Sequence, residues 1–317
     1  MTGNYNSRAM VLMRGTVLLV LALGAAAAVP GQAQRGTFRA SVDLVTLSAT
    51  VTGPGGRYIS DLDAGDFTIL EDGRKQDISL FERTRTPLAV SLLIDSSGSM
   101  SREMPMARRA ASEFVARLRP DDVASIVDFN RRVQVLQPFT DDRAALERAI
   151  QRLVARGTTS MFNAIYIALR DHSALPRPDG DEIRRDVIVV LSDGDDTYSL
   201  LPYEEVLDLA KRSETAIYTI GLRPEDQNRA TFKEAEYVLR KLAQETGGQS
   251  FFPTNVNDLP KIYDTISQEL STMYTLAYAS RNPRRDGAWR RIVVRVTRPG
   301  LTTRTRQGYY APGARGS

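Results

Sequence analysis

The stretch "LAVSLLIDSSGSMS", Leu88 to Ser101, decides the fold. An apolar run from Leu88 to Ile94 stops at one carboxylate, Asp95, and gives way to Ser96, Ser97, Ser99 and Ser101. Such a run fits a central parallel strand covered on both faces. "RDVIVVLSD" repeats the pattern, with Val187 to Leu191 running into Asp193. Gly98 lets the loop after the first strand turn sharply and lets a neighbouring backbone come close.

Outward from these two strands, short apolar runs alternate with amphipathic segments from Leu88 to about Thr272. "DVASIVDF", "RVQVLQPF", "TAIYTIGL" and "QSFFP" read as strands. Helical spacing links Met104, Ala107, Ala111, Phe114, Val115 and Leu118, then Leu146, Ile150 and Leu153. It recurs at Val206, Leu209 and Ala210, at Tyr237, Leu239, Leu242 and Ala243, and at Ile262, Ile266, Leu270 and Met273. The alternation predicts an α/β domain built on a doubly wound, mostly parallel sheet. Only Asn130 and two arginines separate two of the strand runs, which leaves no room for a crossover helix. That pair must form a hairpin, so one antiparallel strand is expected, at an edge.

The flanks read differently. "ASVDLVTLSATVTG" alternates, and "DFTILEDGRKQDISLFER" reads as a hairpin turning at Asp72-Gly73. After Met273 come "YTLAYAS", "WRRIVVRVTRP" and "TTRTRQGYYAP". In the middle run Ile292, Val294 and Val296 face one way, and Arg291, Val293, Arg295 and Thr297 the other. Either flank alone has few strands and would expose their edges. The expected organisation is therefore a leader at 1–33, a β-rich flank at 36–86, the α/β domain at 87–272 and a second β-rich flank at 273–311. The flanks are expected to pair into a small β-sandwich-like module.

The leader combines Arg8 and Arg14, an apolar run from Thr16 to Val29 and a small-residue exit at Gly31-Gln32-Ala33, the layout of a secretory signal peptide. The run is short for a membrane span of about 20 residues. An exported protein, periplasmic or secreted, is expected; the alternative is an uncleaved N-terminal anchor.

Composition removes several chemistries. The chain has 317 residues and no cysteine, which excludes disulfides, thiolate zinc sites and a cysteine nucleophile. The single histidine, His172, excludes a His-rich metal site and reads as a structural residue at a helix end. The formal charge of +4 falls to +2 once Arg8 and Arg14 leave with the leader, too small a bias to argue for nucleic acid. No G-x-x-x-x-G-K-[ST] or G-x-G-x-x-G motif supports nucleotide binding. "DLDAGDFTILEDG" is acidic but lacks the order of an EF-hand loop. From Arg281 onward lie ten arginines and one acid, Asp286. They read as the wet face of strands, with weak contact to an anionic surface as the alternative.

In a doubly wound sheet, ligands bind outside the carboxyl ends of the strands. After the first strand stand Asp95, Ser97 and Ser99. The loop "RGTTSMFNAI" carries Thr158 and Thr159, and Asp193 follows the other central strand. Hydroxyl and carboxylate oxygens suit a hard cation, Mg²⁺ or Mn²⁺, or less tightly Ca²⁺. Two carboxylates roughly balance a divalent ion. Neutral hydroxyls leave it electrophilic, so an open position can accept another anion.

"DSSGS" resembles the D-x-S-x-S signature of von Willebrand factor type A domains. "GTTSMFNAI" and "VVLSDG" resemble the family's second and third motifs, in the family's order, and the likeness covers Pro87 to Thr272. It implies a metal-ion-dependent adhesion site in which Ser97, Ser99 and Thr159 bind the metal directly. Asp95 and Asp193 would act directly or through water. Thr159 is preferred to Thr158 because "TSMFNA" aligns better with the motif. Asp195 and Asp196 read as a solvated turn, Ser96 as a bystander, and Ser101 as a bystander or an N-cap. The flanks resemble those of exported bacterial members, on "DFTILEDG" and "GYYAP". The expected function is non-enzymatic: capture of an Asp or Glu carboxylate of a protein partner through Mg²⁺. Two alternatives stand, a Mg²⁺-dependent hydrolase using Asp95 or Asp193 and an envelope scaffold with a vestigial site. No lysine lies near the motifs and no histidine is available as a base, which counts against the hydrolase.

Overall fold

The structure is a computed structural model and describes residues 44–83, 86–176, 183–193, 196–223 and 229–313. The leader, the first residues of the N-terminal flank and Asp195 lie outside them. No described helix is long and apolar enough to cross a membrane.

The α/β part is a six-stranded sheet. Its strands are β5 (Leu88–Asp95), β6 (Val123–Phe129), β7 (Val133–Thr140), β8 (Arg185–Ser192), β9 (Ala216–Gly221) and β10 (Ser250–Phe251), in the order β10-β9-β8-β5-β6-β7. Every residue of β5 is buried, as its unbroken apolar run requires. Its side chains alternate between two cores. Leu88, Val90, Leu92 and Ile94 pack with α1 (Met104–Ala116), α2 (Arg143–Gln151) and α6 (Leu259–Thr272). Leu93 packs with α3 (Met161–Ala174), α4 (Tyr203–Arg212) and α5 (Arg229–Thr246). Covering helices on both faces account for the loss of polar alternation. All pairings in this sheet are parallel except β6 with β7, the short hairpin and the edge expected of it. Pro138 lies in β7, where an edge strand can spare a ladder donor. Of the apolar positions assigned to helix faces, Tyr237 departs: it is 63% exposed on α5.

The flanks form two antiparallel sheets. One runs β13 (Thr302–Arg304), β1 (Leu44–Thr52), β11 (Tyr274–Ala279), β4 (Ile78–Glu82). The other runs β14 (Gly308–Tyr310), β12 (Trp289–Val296), β2 (Phe67–Glu71), β3 (Arg74–Gln76). Each sheet mixes strands from both ends of the chain. Val45, Leu47 and Val51 of β1 and Tyr274, Leu276 and Tyr278 of β11 share one core with Ile69, Ile292 and Val294 of the facing sheet. Asp72 and Gly73 turn the β2–β3 hairpin with φ of 47° and 80°, the left-handed geometry such a two-residue turn needs. The hairpin's second arm is shorter than its sequence suggests: the chain leaves the sheet after Gln76, and from Ile78 it joins the other one.

The tail arginines bear out the wet face in part. Arg291 and Arg295, on the parity that strand alternation gave to solvent, are exposed, as are Arg281, Arg284, Arg285 and Arg298. Arg290 departs: it is 3% exposed and its Nη1 lies 3.5 Å from the equally buried Glu71. Arg304 pairs with Glu269 at 2.5 Å, Arg306 with Glu214 at 3.3 Å, and Arg298 with Asp61 and Asp66. Among these arginines the charge serves internal pairing. The acidic "DLDAGD" segment is structural too: Asp63 and Asp66 form a reciprocal capping box.

Candidate functional site

The reversal of strand order falls at β5, which pairs with β6 on one side and β8 on the other. The carboxyl ends of β5 and β8 therefore open a crevice at a topological switch point. Ile94 pairs with Leu191. One residue further on, Asp95 meets Ser192, whose Oγ donates to Asp95 Oδ2 at 2.6 Å. Ser97 N donates to Asp95 Oδ1 at 2.8 Å. Asp95 is thus pinned through both oxygens, and it is fully buried.

After Asp95 the chain makes a 3-10 turn over Gly98–Ser101. It brings Ser97 Oγ and Ser99 Oγ to 2.9 Å of each other, the first buried and the second exposed. Ser101 caps no helix; its Oγ donates to Gly98 O at 2.6 Å.

The threonine loop is fastened to this turn by backbone. Gly98 N donates to Gly157 O at 2.9 Å and Arg156 N to Ser96 O at 2.6 Å. Gly157 has a φ of 76°, a left-handed conformation that suits glycine. Thr159 is buried beside an exposed Thr158. Its N–H donates to Thr197 Oγ1 at 3.2 Å and its carbonyl accepts from Thr197 N at 3.1 Å. Since Thr197 follows Asp193 in the same loop, the second and third motifs meet here. Asp95, Ser97, Ser99, Thr159 and Asp193 all lie on the rim at the carboxyl ends of β5 and β8.

Burial raises the Asp95 pKa to about 7, and the charge of Asp193 adds to the rise; hydrogen bonds from Ser192 and Ser97 oppose it. Two acids held this way, in a place that water reaches poorly, favour a cation between or beside them. Among the described residues no group of three or more acids or imidazoles could hold a metal. The side-chain oxygens on the rim are those of two carboxylates and neutral hydroxyls, a type of set that suits a hard divalent ion.

Three supporting residues escaped the sequence reading. Ser96 is fully buried; its Oγ donates to Asp128 Oδ1 and accepts from Asn130 Nδ2, and its N–H donates to Phe129 O. It ties the serine loop to the end of β6. Ser192 orients Asp95, and its place directly before Asp193 was the available signal. Asp196 does more than fill a solvated turn. Its Oδ2 accepts from Phe162 N at 2.8 Å, in the first turn of α3, whose own N-cap, Ser160, makes no side-chain cap bond. Asp196 also accepts from Ser199 N and Oγ. A cap supplied from another loop has no local spacing to reveal it. Asp196→Ala is expected to destabilise the protein by about 1–2 kcal/mol in urea unfolding, the usual worth of a lost cap.

His172 sits in the last turn of α3, buried, with Nε2 3.1 Å from Ser91 Oγ and Nδ1 3.6 Å from Asp186. It lies away from the carboxyl-end rim, beneath the middle of β5.

The family model of the von Willebrand factor type A domain matches residues 90–265. A UPF0353 protein of Mycolicibacterium paratuberculosis (strain ATCC BAA-968 / K-10) is 28% identical over 204 residues, which is 59% of this chain and 62% of that protein. One from Mycobacterium bovis (strain BCG / Pasteur 1173P2) is 26% identical over 223 residues, 64% of this chain and 66% of that one. The chain thus spans less than two thirds of the length of either relative. A solved von Willebrand factor type A structure from Catenulispora acidiphila is alike in fold, with a TM-score of 0.51 and 14% identity over 87% of this chain and 76% of that one. The family match takes in more than half of the chain, across the same strands and loops that build the rim, and the protein belongs to the von Willebrand factor type A domain family.

Proposed function

We propose that the protein is an exported, non-enzymatic binding protein that captures an acidic group of a protein partner through a divalent ion, Mg²⁺ foremost. Ser97, Ser99 and Thr159 would hold the ion through their hydroxyls. Asp193 would supply charge. Asp95, engaged at both oxygens by protein donors, would act through water and keep the serine loop in place. When bound, the ion would supply an electrophilic position for a carboxylate, because neutral ligands leave its charge only partly offset.

The observation that carries this reading is the pairing of two buried acids with two serine hydroxyls 2.9 Å apart, one of them exposed. The leader is what supports export. Immobilised protein should retain discrete partners from an envelope extract in Mg²⁺ and release them on chelation, and an Asp95→Ala column should retain none of them. Retention that survives both chelator and that substitution would overturn the reading.

A further inference from the structure

A second feature adjoins the rim. The turn between β6 and β7, with the start of the threonine loop, lines a cavity of about 600 Å³ that includes Asp128, Asn130, Arg131, Arg132, Arg156 and Gly157. Three guanidinium groups face one carboxylate, and that carboxylate, Asp128, is buried and accepts from Ser96. All three arginines are exposed. Among the described residues Arg131 and Arg132 make no ion pair, unlike the tail arginines bound to Glu71, Asp61, Glu269 and Glu214, and the charge of Arg156 only partly opposes the rise that burial gives the Asp128 pKa. Arg131 is instead braced against Tyr198, with its Nη2 3.1 Å from the phenol oxygen and its head 5.1 Å from the ring centre.

The cavity cannot drift from the metal loop. Arg156 N and Asn130 Nδ2 both bond to Ser96, and Gly157 O accepts from Gly98. Ser96 and Gly98 flank Ser97, so the basic wall and the serine hydroxyls move as one body. Exposed guanidinium groups that outnumber the one carboxylate beside them fit further carboxylates, which they can grip two-pronged.

We propose that this cavity receives a second acidic side chain of the same partner segment, so that the partner is an acidic peptide stretch with one carboxylate at the metal and another a few residues away. This rests on the metal-capture reading above and specifies its partner. A volume of this size accommodates a carboxylate side chain with adjoining backbone.

The test uses the full chain and three synthetic peptides, each with one central aspartate, flanked by serines, glutamates or lysines. In Mg²⁺ at low salt the glutamate-flanked peptide should bind about tenfold more tightly than the serine-flanked one. The preference should shrink at about 0.5 M salt, where exposed charges are screened. The Arg131→Ser/Arg132→Ser/Arg156→Ser variant should lose the preference while binding Mg²⁺ and the serine-flanked peptide as the parent does. The Arg132→Ser/Arg156→Ser variant, which leaves Arg131 on Tyr198, should lose most of it. A preference unchanged in both variants overturns the inference. So does the absence of any preference when heparin or phosphatidylglycerol vesicles bind through the same arginines, or when no peptide binds. Mg²⁺-dependent binding without a glutamate preference leaves metal capture standing and removes the cavity's role. A glutamate preference that needs the arginines but not Mg²⁺ does the opposite.

Discussion

Glu269→Ala is expected to lower the unfolding free energy by about 3–5 kcal/mol, the cost of stripping one partner from a buried, hydrogen-bonded charge. Glu269 lies on α6 with no exposed surface. It accepts from Tyr218 Oη at 2.6 Å, Thr50 Oγ1 at 2.9 Å and Tyr58 Oη at 3.2 Å, and pairs with Arg304 at 2.5 Å. Those partners come from β9, β1, the segment after β1, and β13. One carboxylate therefore joins the α/β sheet to the flanking sandwich. Its removal leaves the fully buried Tyr218 phenol without its carboxylate acceptor and takes the counter-charge from Arg304, whose guanidinium keeps only the neutral acceptors Gly247 O and Gln249 Oε1. Glu269→Gln keeps an acceptor oxygen and should cost less. Two probes in urea check this. Trp289, the only tryptophan, stands on β12 and reports the sandwich; far-UV circular dichroism reports the helices. The parent should unfold at one midpoint by both probes, and Glu269→Ala should separate them. A loss under about 1 kcal/mol with coincident midpoints would show that apolar packing, not this charge, joins the parts.

The same residue marks where the sequence stops being legible. Periodicity reports burial of apolar side chains against a layer, and it located β5, β8, the hairpin edge and the helix faces. It is silent on charges whose partners lie far along the chain. Arg290 stands on the buried parity of β12 beside Ile292, and there it meets Glu71, brought over by the β2–β12 pairing, together with Ser280 Oγ, the carbonyls of Asn282 and Arg284, and Asp286 at 3.9 Å. Nothing local to either residue announces the other. Arg185 at the start of β8 is similar: it reaches Ser48, Leu270 and Thr275 across the junction with the sandwich. Arg290 and Glu71 stand 219 positions apart, Arg298 and Asp61 237, and Arg306 and Glu214 92, so the inward-paired part of the tail looked like the rest of its wet surface.

The rim was legible for a different reason. Its donors follow strands that their apolar content identifies, and the switch-point rule says which strand ends face each other. The supports were not legible. Ser96 looked dispensable because its alternate spacing put it out of phase with Ser97 and Ser99, yet that same phase turns it inward onto Asp128 and Asn130. Asp196 looked like a turn residue because its role is to cap a helix at Phe162, 34 residues earlier in the chain. In both cases the sequence carried the residue type but not the neighbour.

Asp95→Asn is expected to abolish the response to Mg²⁺ while leaving the metal-free protein at least as stable as the parent. The two halves of this expectation have one cause. Without an ion, the Asp95 charge is disfavoured by burial and by Asp193. An amide of the same shape carries no such charge. Its oxygen can still accept from Ser97 N, and the Ser192 hydroxyl can turn to accept from the amide instead of donating. With Mg²⁺ present the parent should gain about 1.4 kcal/mol at ten times the Kd and about 2.7 kcal/mol at a hundred times. That is a rise in Tm of roughly 2–4 °C for a chain of this size. The variant should gain none. Scanning calorimetry of both proteins, with and without Mg²⁺, separates the outcomes. Equal gains in parent and variant would place the ion elsewhere. A variant that collapses without metal would mean that the Asp95 charge is held by a protein donor rather than waiting for a cation.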